Sequence, residues 1–150
     1  EREKMKNRIE DYKPKELTIN LPTATKENVF YPLIDYELKD DIKDSYGKVL
    51  YKKGFVFNPL HYISLNEKYI FIDYTDKKQR EWIKKQEINK DITAKIIITN
   101  GRVFDAIKEF EREVFYANDI LIDKFKLEAV PSIVEQEQDR IKVKQFKLKD

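Results

Sequence analysis

The chain has 150 residues, 41% hydrophobic and 39% charged, which suits one soluble domain or one domain with a tail. Thirty Lys and Arg against 28 Asp and Glu leave a formal charge of +2, too little for a polyanion binder by bulk charge, so any basic surface must be local. The absence of cysteine excludes a disulfide framework, a thiol nucleophile and cysteine-based zinc or iron–sulfur sites.

Nine Tyr and nine Phe against three Gly argue for a packed core and against disorder. The apolar runs at 95–99 and 69–72 fall far short of the roughly 18 residues a membrane span needs. The chain starts at Glu1 with no basic and apolar export signal, as expected of a mature or trimmed fragment.

Residues 1–13 read as the end of a charged helix, with Met5 and Ile9 one turn apart. Residues 14–64 read as an extended linker and a small β region. Pro14, Pro22 and Pro32 forbid helix before them, while Leu17, Ile19 and Leu21 alternate. From Asp41 to Phe57 short strands are expected around glycine turns at Gly47 and Gly54, closed by the turn Asn58-Pro59-Leu60.

Residues 65–150 alternate strand and helix. The run Tyr69–Asp73 predicts a strand buried on both faces. Asp76 and Gln79 resemble a capping box opening a helix through Trp82 and Ile83. The span 94–99 predicts a second strand, with Asn100 capping a helix that carries Val103, Ile107, Phe110 and Val114. Val114–Tyr116 predicts a third strand, and Asn118 caps a helix with Ile120, Leu121 and Phe125. Val130-Pro131 leads into a fourth strand, and 140–145 offers a fifth, with a bulge or the strand's end near Gln145, because Phe146 and Leu148 break its parity. This order, with a proline at a strand mouth, is the layout of an α/β thioredoxin-like domain, with Pro131 the cis-proline candidate. The redox cysteines of such domains are missing from Asp73–Lys78.

Chemical signals are sparse. His61 is the only histidine, which leaves no triad and no multi-histidine metal site. Asp73, Asp76, Asp119 and Asp123 match no calcium loop, and helix capping accounts better for Asp76. Ser45, Ser64 and Ser132 lack a nucleophile-elbow context. The basic run Arg140–Lys147 suits single-stranded nucleic acid, yet lysines alternating with apolar residues also mark an edge strand that resists unwanted pairing, which is the preferred reading. Trp82 is either a core anchor, the default, or an exposed interface residue.

In this order the chain resembles the TraW family of F-type conjugative type IV secretion systems. The resemblance rests on Asp41, Ile42, Asp44 and Gly47; Gly54; Asn58-Pro59-Leu60; Phe71-Ile72-Asp73; Asp76, Gln79 and Trp82; Tyr116; Phe125 and Leu127; and Val130-Pro131. Asn100-Gly101 agrees with the family's glycine there, whereas the later hairpin turn carries Glu137-Gln138-Asp139 instead of glycine, and Tyr116-Ala117-Asn118 replaces the family's Phe-Asp-Gln. The resemblance implies a periplasmic, non-enzymatic assembly protein needed for the conjugative pilus, without cofactor or metal, working with a TrbC-like protein and other secretion components. A nucleic-acid-binding accessory protein and a redox-inactive periplasmic chaperone are the alternatives. The expected partner contacts are Phe55, Phe57, Asn58, Pro59, Leu60 and Tyr62 with the Asp76 helix start, because apolar residues beside a rigid turn make preorganised anchors.

Overall fold

The computed structural model describes residues 19–86 and 88–149. The expected helix of residues 1–13, with Pro14 and Leu17, lies outside them.

The fold grows from two strands whose β-branched residues have no polar side to offer. In β6 (Lys68–Asp73) Ile70, Phe71 and Ile72 are all buried, and in β7 (Ala94–Asn100) Ile96, Ile97 and Ile98 are too. Successive side chains point to opposite faces, so Ile70, Ile72, Ile96 and Ile98 enter one core while Phe71 and Ile97 enter another. A strand apolar on both faces must be covered twice. Helices α1 (Lys77–Lys85) and α2 (Val103–Phe110) cover the first face with Ile83, Ala106 and Phe110; α3 (Asp119–Phe125) covers the second with Phe125.

The sheet has six strands in the order β1 (Asn28–Phe30), β10 (Arg140–Gln145), β9 (Ser132–Glu137), β6, β7, β8 (Val114–Tyr116). Strands β6, β7 and β8 (Val114–Tyr116) are parallel; β9 (Ser132–Glu137) and β10 (Arg140–Gln145) form an antiparallel hairpin beside β6. The hairpin turn needs a positive φ, which Gln138 takes at 57° in place of glycine. The Val130–Pro131 peptide bond at the mouth of β9 is cis.

Five expectations need correction. The stretch before residue 35 is extended, but it is more than a linker: Ala24 is buried, Ile19, Leu21 and Phe30 pack on the second core, and β1 (Asn28–Phe30) pairs with β10. Strand β10 is therefore an interior strand rather than an edge, and its lysines face away from the second core that holds Ile141 and Val143. Asn100 does not cap α2. It ends β7, its Oδ1 accepts from the Gly101 amide, and the cap position belongs to Arg102, whose side chain makes no capping bond. That helix stops at Phe110 because Glu111 turns left-handed (φ 54°), which frees Val114 for β8. Trp82 is half-buried against the Phe146 ring, 5.0 Å away, while Ile83 anchors α1 in the core.

Asp76 does cap α1, accepting from the Lys78 amide at 2.9 Å. Gln79 closes the motif in an unexpected way. Fully buried, it accepts from the Asp73 amide (2.8 Å) and donates to Asp76 Oδ2 (3.1 Å), so one side chain ties the end of β6 to the start of α1.

Candidate partner-binding surface

Residues 36–57 are too few to enclose a core, and they form two small antiparallel pairs. Strand β2 (Tyr36–Glu37) pairs with β5 (Val56–Phe57), and β3 (Ile42–Lys43) with β4 (Val49–Tyr51). Asp44 shapes the β3–β4 turn: its Oδ1 accepts from the Tyr46 and Lys48 amides at 2.9 Å, and Gly47 supplies φ 85°. Two-stranded pairs of this size depend on anchorage elsewhere.

The anchor is the Pro59–His61 turn. Asn58 caps it by accepting from the Leu60 amide at 2.9 Å, and its Nδ2 donates to the Asp139 carbonyl at 2.8 Å. His61 Nε2 lies 3.5 Å from Asp139 Oδ2, and the Leu65 amide donates to Gln136 Oε1 at 2.7 Å. The pairs are thus fastened to the β9–β10 turn.

A chain of aromatic contacts runs across them. The Tyr36 ring meets Phe57 edge-on at 5.7 Å, Phe57 stacks on Phe55 at 5.8 Å, Phe55 meets Tyr51 at 5.2 Å, and Tyr62 meets Phe57 edge-on at 5.6 Å. Such pairs are each worth about 0.5–1.5 kcal/mol beyond area burial, which holds the rings in register before anything binds. Leu38, Ile42, Tyr51, Phe55, Phe57 and Tyr62 line an open cleft of about 220 Å³ with no charged side chain in its wall. Tyr62 remains 65% exposed and Phe55 40%. Exposed apolar side chains gathered beside a rigid turn are the arrangement a protein partner can use as anchors.

Of the expected contacts, Phe55, Phe57 and Tyr62 come together in this cleft, and Asn58 and Pro59 form the turn beneath it. Leu60 instead packs on the second core and lines a separate cleft with Tyr69, Leu121, Phe125 and Ile141. Asp76 is not part of the surface. The aromatic pairs sit at the β9–β10 turn, near the Lys68 end of β6, whereas Asp76 follows the opposite end of that strand, where Phe71 faces Ser132. Tyr36, Leu38, Ile42 and Tyr51 are not among the contacts expected from sequence but join the surface; β2–β5 and β3–β4 pairing brings them there.

The perturbed titrating groups lie in other parts of the molecule. Burial, then the Glu109 charge and the hydrogen bond to it, raise the Tyr74 hydroxyl above its ordinary value, with the Arg80 guanidinium 5.1 Å from the ring centre. Hydrogen bonds from the Thr93 hydroxyl and amide hold Asp91 below the usual carboxylate value. A hydrogen bond to Glu67 raises Lys95. Among the described residues no three His, Asp or Glu side chains are grouped to hold a metal, and no helix is long and apolar enough to cross a membrane.

No protein-family model matches the chain, and no solved structure matches it. It is similar to Protein TraW of Escherichia coli (strain K12), at 32% identity over 98 residues that cover 65% of this chain and 46% of that protein. The chain spans about half the length of this curated relative.

Proposed function

We propose that the chain is a TraW-like, non-enzymatic assembly component of an F-type conjugative type IV secretion system, acting in the periplasm through protein contacts that include a TrbC-like partner. We further propose that residues 65–150 form a thioredoxin-like domain without redox chemistry. The similarity to TraW supports the system. The observation that carries the mode of action is the exposed aromatic cleft, preordered by ring-to-ring contacts and pinned to the β9–β10 turn. Preorganised apolar anchors lose little entropy on docking, and aromatic residues dominate interface energetics.

The test is capture of a purified TrbC-like protein by the wild-type chain and by Phe55→Ser and Tyr62→Asp variants. Each variant should weaken capture by at least tenfold, about 1.4 kcal/mol, while the chain still melts cooperatively. Asp76→Asn, at the far end of the sheet, should leave capture unchanged. Full capture by both folded cleft variants would remove the cleft from the interface.

A further inference from the structure

The segment before the aromatic pairs behaves unlike a linker. Its backbone is spent on two strand-type contacts with distant parts of the chain. The Val130 amide donates to the Pro22 carbonyl at 3.0 Å, and the Ala24 amide donates to the Val130 carbonyl at 2.8 Å, so Thr23 and Val130 form a parallel bridge. Five residues after Thr23 the direction of pairing changes: Asn28, Val29 and Phe30 lie antiparallel to Gln145, Lys144 and Val143. Between the two contacts the buried Gln145 Nε2 donates to the Lys26 carbonyl at 2.9 Å. Ile19, Leu21 and Phe30 complete the second core, and Ala24 is buried. Residues 19–30 are therefore a strap filling a strand-addition site made of the Val130 backbone and the outer edge of β10.

Two features make the strap separable from the body it completes. Its link to the rest is residues 31–35, which belong to no strand or helix, contain Pro32 and leave Leu33 80% exposed. Within the link the Tyr31 hydroxyl donates to Glu137 Oε2 at 3.0 Å and Ile34 packs on the second core, so the place where it can turn outward is the Pro32–Leu33 step between them, where proline keeps Tyr31 extended. Beyond this link, every contact of the strap with Val130, β10 and the second core can be made identically by the strap of another copy. In such an exchange the enthalpy of the site cancels, and the link geometry and concentration decide the outcome.

We infer that residues 19–30 are an exchange arm: the site on Val130 and β10 accepts the equivalent segment of a second copy of this chain, joining the two by strand addition. The occupant is identified by the structure's own example, since the one sequence shown to fit the site is this strap. The inference stands apart from the aromatic cleft, which lies outside the strap.

The chain has no cysteine, so introduced thiols report the exchange directly. Val29 and Lys144 are register partners, and Val29 is 46% exposed. Val29→Cys and Lys144→Cys chains, unfolded together in urea, refolded at high concentration and oxidised, should give a disulfide-linked heterodimer in several-fold excess over a Val29→Cys and Tyr46→Cys mixture, which measures random collision. Tyr46 sits 95% exposed on the β3–β4 turn. Both substitutions in one chain, oxidised at high dilution, should give an intrachain bond, which checks that the variants fold with the strap seated. With that check passed, a heterodimer yield no greater than the collision mixture would overturn the inference.

Discussion

Replacing Gln79 by Leu removes a single polar bridge while keeping most of the buried volume. The amide at the end of β6 loses the oxygen it donates to at 2.8 Å, and Asp76 loses a donor at 3.1 Å. Orphaning a buried amide costs about 1–3 kcal/mol, and a bond to a charged group is worth about 1.5–3 kcal/mol, part of which the half-exposed Asp76 recovers from water. The sum is a loss of about 2–4 kcal/mol, or a melting point lower by about 5–15 °C for a chain of this size. Urea unfolding reads this well because the single tryptophan, Trp82, lies on the same helix. Gln79→Glu separates the two bonds: it keeps an acceptor for the Asp73 amide but sets a second carboxylate against Asp76. Its deficit should shrink as acid protonates the new carboxyl, whereas the deficit of Gln79→Leu should not. A loss below about 1 kcal/mol for Gln79→Leu, with unchanged urea dependence, would refute the bridging role.

Gly101→Ala should lower stability by about 2–4 kcal/mol, because the position needs φ 100° and the added methyl would lie 2.9 Å from Tyr74 Cβ; thermal melting checks it. Arg112→Met should cost a similar amount, since Arg112 donates to the carbonyls of Ile88 (2.8 Å), Asp91 (3.0 Å) and Ala94, and limited proteolysis should then cut first near Lys90. The lowered pKa of Asp91 makes its contribution present above the ordinary value of 3.8 and lost as pH falls through its lower folded value. Acid titration of stability should accordingly be shallower on that side in Asp91→Asn.

The parts of the fold visible in sequence are those where neighbouring residues carry the information. The runs at 69–73 and 95–99 are apolar at consecutive positions, and a doubly covered strand is what that pattern permits. Asp76 and Asn118 cap their helices as expected, because a cap depends on residues two or three positions away. Reading failed where the decisive partner is remote. Nothing in Asn28-Val29-Phe30 announces that it will cover β10, and without that cover the lysine alternation of β10 looks like an edge. The same limit applies to the binding surface. Phe55, Phe57 and Tyr62 stand out beside a rigid turn, but sequence does not say which end of the sheet a segment reaches, and Asp76 was therefore grouped with residues that lie at the other end.

The strap also sets the timetable of folding. Its partners are made long after it: the Lys26 carbonyl waits for a side chain 119 positions later. Loop closure over such a span must be completed before its contacts stabilise anything, and pairings of this kind slow folding. Until β10 is available, the apolar side chains of residues 19–30 stay without their site. That interval is when a chaperone would find its target on this chain, and when neighbouring unfolded copies are most open to taking one another's straps.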